Sequence, residues 1–138
     1  MKSEELNDFA TRYTAAWCSQ DAASVAALFS EYGSQQINEG IPNIGRDAIT
    51  EFVQAFMTAF SDLEVRMDRL DVTADHVIFL WILTGTNDGP DGTGHKVHID
   101  GYEKWIFDED GLIAEATGHY DNEEYMRQLE HGVDASQE

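Results

Sequence analysis

Apolar positions keep a helical period from the N-terminus as far as Phe60, and a period of two from Asp62 onward. In the first part Leu6, Phe9, Tyr13 and Trp17, with Ala10 and Ala16, predict a helix over residues 3–19. A short second helix is expected from Asp21, a capping residue, to about Phe29, with Val25, Leu28 and Phe29 on one side. Glu31-Tyr32-Gly33-Ser34 reads as a break, and Gln35–Asn38 as a short strand before the loop Glu39–Gly45. The run GRDAITEFVQAFMTAF then gives the strongest helical signal in the chain. Its Ile49, Phe52, Val53, Phe56, Met57 and Phe60 form one continuous stripe.

In the second part Leu63, Val65 and Met67 alternate with polar residues, and Leu70 and Val72 resume one step out of phase, which predicts a bulge in a bent strand. After the turn Thr73–His76, VIFLWILTGT has no polar face before Thr84. A central strand covered by helices on one face and by a partner subunit on the other is expected. The loop Asn87–Gly94 leads into two long strands, His95–Phe107 and Leu112–Tyr120, joined by the tight turn Asp108–Gly111, and a helix starts at Asp121. With Gly111 in a left-handed bulge position, Phe107 falls opposite Ile113. Strict alternation from that pair puts Ile99, Gly101, Glu103, Trp105 and Phe107 on one face with Ile113, Glu115, Thr117, His119 and Asp121. A one-residue slip would reverse this assignment. Three helices, a long curved antiparallel sheet and a terminal helix make an α+β domain, its helices lying in the concavity of a cone with a pocket at the open end.

Composition narrows the function classes. The chain reads as one domain over residues 1–130, with a frayed, disordered tail over 131–138. Twenty-seven acidic against 8 basic residues give a net charge of −19, a field that repels nucleic acid and anionic membranes and reads as a solvated acidic surface. No apolar run approaches the roughly 18 residues that span a bilayer. The lone Cys18 has no internal partner and reads as a small core residue; a cytoplasmic location follows as the expectation. His95 and His98 point to opposite faces of a strand, HExxH is absent, and the Gly-rich loop lacks a calcium or phosphate fingerprint, so neither a metal nor another cofactor is expected.

The ordered segments AAWCSQDAASVAALF, GRDAITEFVQAF, LWILTGT, GTGHKVHIDGYEKWIFDEDGLIAE and YDNEEYMRQL resemble the SnoaL-like polyketide cyclase branch of the NTF2-like superfamily, over about Leu6 to Leu129. The resemblance implies the cone fold, a dimer formed through the sheet, and a pocket for a small hydrophobic organic ligand. It also implies cofactor-independent acid/base chemistry on a carbonyl compound, of cyclase, isomerase or dehydratase type. Asp121 matches the family's acid/base position at the end of the last strand, and Tyr13 its helix-one aromatic. Where many relatives read Glu-His-Trp, this chain reads Glu115-Ala116-Thr117.

Two residues are therefore catalytic candidates: Asp121, and His119 as the partner that tunes it. Asp121-Asn122-Glu123-Glu124 also reads as a helix N-cap, and sequence does not separate the roles. Glu103 would be an acid among apolar neighbours, functional or a sign of the wrong register. Tyr13, Trp17, Phe52, Phe56, Trp81 and Trp105, with Asn38 and Thr117, complete the expected pocket, although core packing explains most of the aromatics. Two rival readings stay open. One is a non-catalytic binding or assembly domain; the other is a hydrolase that activates water with paired carboxylates such as Glu103 and Asp121.

Overall fold

In the computed structural model, residues 2–133 are described, so residues 134–138 of the expected tail lie outside the described residues. Helix α1 (Ser3–Trp17) buries Leu6, Phe9, Ala10, Tyr13, Ala16 and Trp17, the stripe its periodicity predicts. Helix α2 (Ala22–Ala26) is a single short turn region. Phe29 does not end it but opens strand β1 (Phe29–Ile37). The expected break at residues 31–34 is instead an irregularity inside this strand, where the register against its neighbour shifts between Phe29 and Ser34. Strand β2 (Asn43–Ile44) pairs back onto β1.

Helix α3 (Arg46–Ala59) buries Ile49, Val53 and Met57, while Phe52 and Phe56 sit half-buried on an adjacent face. Its start is anchored by Arg46, whose guanidinium donates through Nε (3.0 Å) and Nη2 (2.9 Å) to the Phe29 carbonyl. The antiparallel run follows as β3 (Glu64–Val72), β4 (Val77–Thr86), β5 (Lys96–Phe107) and β6 (Ile113–Tyr120), closed by helix α4 (Asn122–His131). The bulge predicted in β3 lies between Met67 and Arg69. The order is β2-β1-β6-β5-β4-β3, with β1 parallel to β6 and every other pairing antiparallel.

The curved sheet remains open, and its concave face packs on α1 to α3. Val77, Phe79 and Leu83 of β4 are buried there, whereas Ile78, Leu80 and Ile82 on the other face are only half covered. Strand β6 stops pairing at Gly101, so the first residues of β5 are open on that side. Helix α4 fills the gap: Gln128 accepts the His98 backbone N–H (2.6 Å) and donates to its carbonyl (3.2 Å). Cys18 lies exposed just beyond α1 rather than in the core, its thiol exchanging 3.3 Å hydrogen bonds with the Val65 backbone.

The hairpin β5–β6 departs from strict alternation. Phe107 does lie opposite Ile113, as the turn geometry requires, but Ile106 pairs with Glu115, leaving Ala114 as a one-residue bulge. Beyond it every side chain of β6 changes face. Ile113, Ala116 and Gly118 are buried inward, while Glu115, Thr117 and His119 are exposed on the convex side. The expected shared face is therefore correct for β5 and inverted for most of β6.

Candidate functional site

A narrow cavity of about 50 Å³ opens between the concave sheet, α1, α3 and α4. Tyr13 and Trp17 come to it from α1, Phe52 and Phe56 from α3, Phe79 and Trp81 from β4, Tyr120 from the end of β6 and Tyr125 from α4. These rings meet edge-on: Trp17 and Phe56 at 6.2 Å, Phe52 and Phe56 at 5.4 Å, Tyr120 and Tyr125 at 5.5 Å. Such contacts fix each ring against its neighbours rather than leaving it to rotate into the space. Two glycines let Trp81 and Ile37 of the wall lie close against the sheet. A side-chain carbon at Gly101 would lie 2.5 Å from the Trp81 ring, and one at Gly118 would lie 2.6 Å from Ile37 and 3.3 Å from Glu103.

Glu103 is the one carboxylate in the cavity wall. It projects inward from β5, is 5% exposed, and faces Gly118 across the β5–β6 pair. Its Oε1 accepts from the Tyr13 hydroxyl (2.7 Å) and from the Trp105 indole N–H (2.8 Å). No described residue hydrogen-bonds Oε2, and the lining contains no Lys, Arg or His to neutralise the charge. Because burial disfavours the ionised form, the Glu103 carboxyl is pushed above the usual carboxylate range, and the Trp105 and Tyr13 hydrogen bonds hold back part of that rise. Burial, then the Glu103 charge, likewise raises the Tyr13 phenol well above its ordinary value. Tyr13 is thus a hydrogen-bond donor that stays protonated while Glu103 titrates.

The other candidates separate cleanly. Tyr13, Trp17, Phe52, Phe56, Trp81 and Glu103 line the cavity, and Gln35, Ile37, Phe79, Tyr120 and Tyr125 join them unforeseen. Trp105 lies behind the wall, fully buried and stacked on Phe79 at 4.8 Å, and reaches the site only through Glu103. Asn38 serves the backbone: its Oδ1 accepts the Tyr120 N–H at 2.9 Å, which continues the β1–β6 pairing by one residue. Thr117 is exposed on the convex face opposite Lys104. His119 is exposed on that same face, beside Tyr102.

Asp121 is also exposed, and its Oδ1 accepts the Glu124 backbone N–H at 3.1 Å, capping α4. The structure therefore brings neither Asp121 and His119 into the cavity nor Glu103 and Asp121 together, because the Ala114 bulge turns the end of β6 outward. Asp121 bears on the cavity only by starting the helix that carries Tyr125. Gln35 was the strongest missed signal, a polar residue followed at alternate spacing by Ile37 in what read as a minor strand. Among the described residues, no group of three or more His, Cys, Asp or Glu side chains could hold a metal ion, and no helix is long and apolar enough to cross a membrane.

The family model of the SnoaL-like domain matches residues 10–116, and the chain belongs to that family. Solved structures share the fold at low identity. A protein of ketosteroid isomerase-like fold from Catenulispora acidiphila, crystallised with trimethylamine, is 16% identical over 94% of this chain and 95% of its own, with a TM-score of 0.77. SalBIII, an epoxide hydrolase/cyclase-like enzyme in pyran ring formation of the polyether salinomycin, is 16% identical over 90% and 97%, at 0.77. TsrD from Streptomyces laurentii is 15% identical over 94% and 97%, at 0.80. Among curated proteins, none matches the sequence.

Proposed function

We propose that this SnoaL-like domain binds a small, largely apolar carbonyl compound in the aromatic cavity and that Glu103 exchanges a proton with it. The observation that carries this reading is the Glu103 carboxylate, its Oε2 without a described partner, in the wall of a mostly apolar cavity. A carboxyl raised by burial is a stronger base when ionised than one in water. Tyr13 and Trp105 fix its first oxygen, so the second is aimed without further ordering. In the reaction, Glu103 removes a proton from the carbon beside the carbonyl and returns it to the same or a neighbouring atom. No net proton is consumed and no cofactor enters; isomerisation, aldol closure and dehydration all share this step.

The test is proton exchange. In D2O, 2-tetralone should lose its α-protons faster with the protein than without it, and Glu103→Gln should remove the acceleration. Unchanged exchange in the variant sinks the assignment.

A second reading is non-catalytic capture of a small organic cation. It is supported by the ring of aromatics around a lone carboxylate, and by the trimethylamine held by a protein of the same fold. Tetramethylammonium binding without any ketone exchange would favour it. The convex sheet face supports a further proposal, a homodimer through the sheet. Leu80, Tyr102 and His119 lie in one row across β4, β5 and β6, between the half-covered Ile78 and Ile82. Light scattering on wild type and Leu80→Asp should then read dimer and monomer.

A further inference from the structure

Resting on the acid/base reading, we infer that Gln35 is the donor that receives the carbonyl oxygen of the ligand and so orients it against Glu103. Gln35 is 2% exposed and lines the cavity from β1. Its Oε1 is occupied by the Asn43 Nδ2 donor at 3.0 Å, which fixes the amide so that Nε2 turns away from β2. That nitrogen has no hydrogen-bond partner among the described residues, yet no side-chain nitrogen or oxygen is both sealed off and unpartnered. The amide N–H groups therefore touch open space, and the space beside Gln35 is the cavity. A buried donor left unmade is costly, so a ligand acceptor placed there gains that interaction in full.

The sheet sets Gln35 and Glu103 across from each other. Gln35 pairs with Ala116 and Glu103 with Gly118, so β1 and β5 flank the same segment of β6, their axes about 10 Å apart. Both side chains line the cavity, with Ile37 between them in the wall and packed over Gly118. A ketone held in the cavity would place its oxygen on the Gln35 amide and an adjacent C–H toward Glu103. A hydrocarbon of the same shape gains nothing from Gln35. The substrate class is thereby an enolisable ketone or ester, and Gln35 the residue that separates it from an apolar mimic.

The experiment compares 2-tetralone with tetralin, following quenching of tryptophan fluorescence for binding and α-proton exchange for chemistry. Wild type should prefer the ketone by roughly tenfold, about the value of one buried hydrogen bond. Gln35→Met, similar in volume and without the amide, should bring the two affinities within about twofold and slow exchange. Glu103→Gln should keep the ketone preference while losing exchange. Should the Met variant fail to fold by circular dichroism, Gln35→Leu, which also lacks the amide, repeats the comparison and should likewise lose the ketone preference. A ketone preference that survives in either folded Gln35 variant overturns the role of Gln35 and leaves Glu103 standing. A wild type that binds neither probe and exchanges nothing overturns the acid/base reading itself.

Discussion

Glu103 and Asp121 belong to one β-hairpin and its exit, yet they live under opposite physics. Glu103 is buried in the wall of a mostly apolar cavity, held by two neutral donors and raised by burial. Asp121 stands in solvent, with its carboxylate bonded to the first turn of α4. A carboxylate at a helix start fills a structural role, satisfying an otherwise orphaned N–H. A carboxylate without a cation in a low-dielectric wall is held away from its ionised form, which is the condition for moving protons. The contrast teaches that position along a strand says little about chemistry until the face is known.

The comparison breaks first at Glu103. Glu103→Gln should slow ketone exchange by about 10²–10⁴, the usual worth of a positioned general base, and Asp121→Asn should leave it unaltered; equal losses in both would end the distinction. The same Gln variant carries a stability signature. A folded-state carboxyl raised above its unfolded value contributes stability at pH below the unfolded value and loses it as pH climbs through the folded one. Urea unfolding of wild type relative to Glu103→Gln should therefore show an advantage that shrinks as pH rises from acid toward neutral.

Next comes the room around the carboxylate. Gly101→Ala should cost about 3 kcal/mol and close the cavity, because the added carbon meets a backbone oxygen of His119 at 2.5 Å as well as the Trp81 ring. Gly118→Ala should cost less, since its nearest obstacle is the movable end of Ile37. Chemical denaturation ranks the two.

Tyr13→Phe should cost about 1 kcal/mol in the same measurement. It should also move the pH profile of exchange upward, because Glu103 loses a hydrogen bond that favours its ionised form. A profile that stays put would detach Tyr13 from the site. The smallest effects belong to the cap: Asp121→Ala about 1 kcal/mol, Asp121→Asn a few tenths, with tetralone affinity held in the Asn variant.

Much of this was readable from the order of residues alone. The stripes of α1 and α3, the bulge in β3, the span of β4 and the Phe107–Ile113 turn pair all follow from local periodicity, steric limits and turn chemistry. So did much of the aromatic lining, since Tyr13, Trp17, Phe52 and Phe56 lie on apolar helix stripes that turn inward, whereas Trp81, on a strand apolar on both faces, was placed by the sheet. What tertiary structure decided was the second half of β6 and everything hung on it. A single extra residue, Ala114, reverses which side chains point inward. The bulge arises where β5, β6 and the start of β1 meet, as the Ile113 N–H bonds to the Leu28 carbonyl (3.0 Å), a contact between residues far apart in the chain. Periodicity is a local signal and side-chain direction in a strand flips with every residue, so one non-local insertion sent His119 and Asp121 to the surface and left the cavity to Glu103 and Gln35.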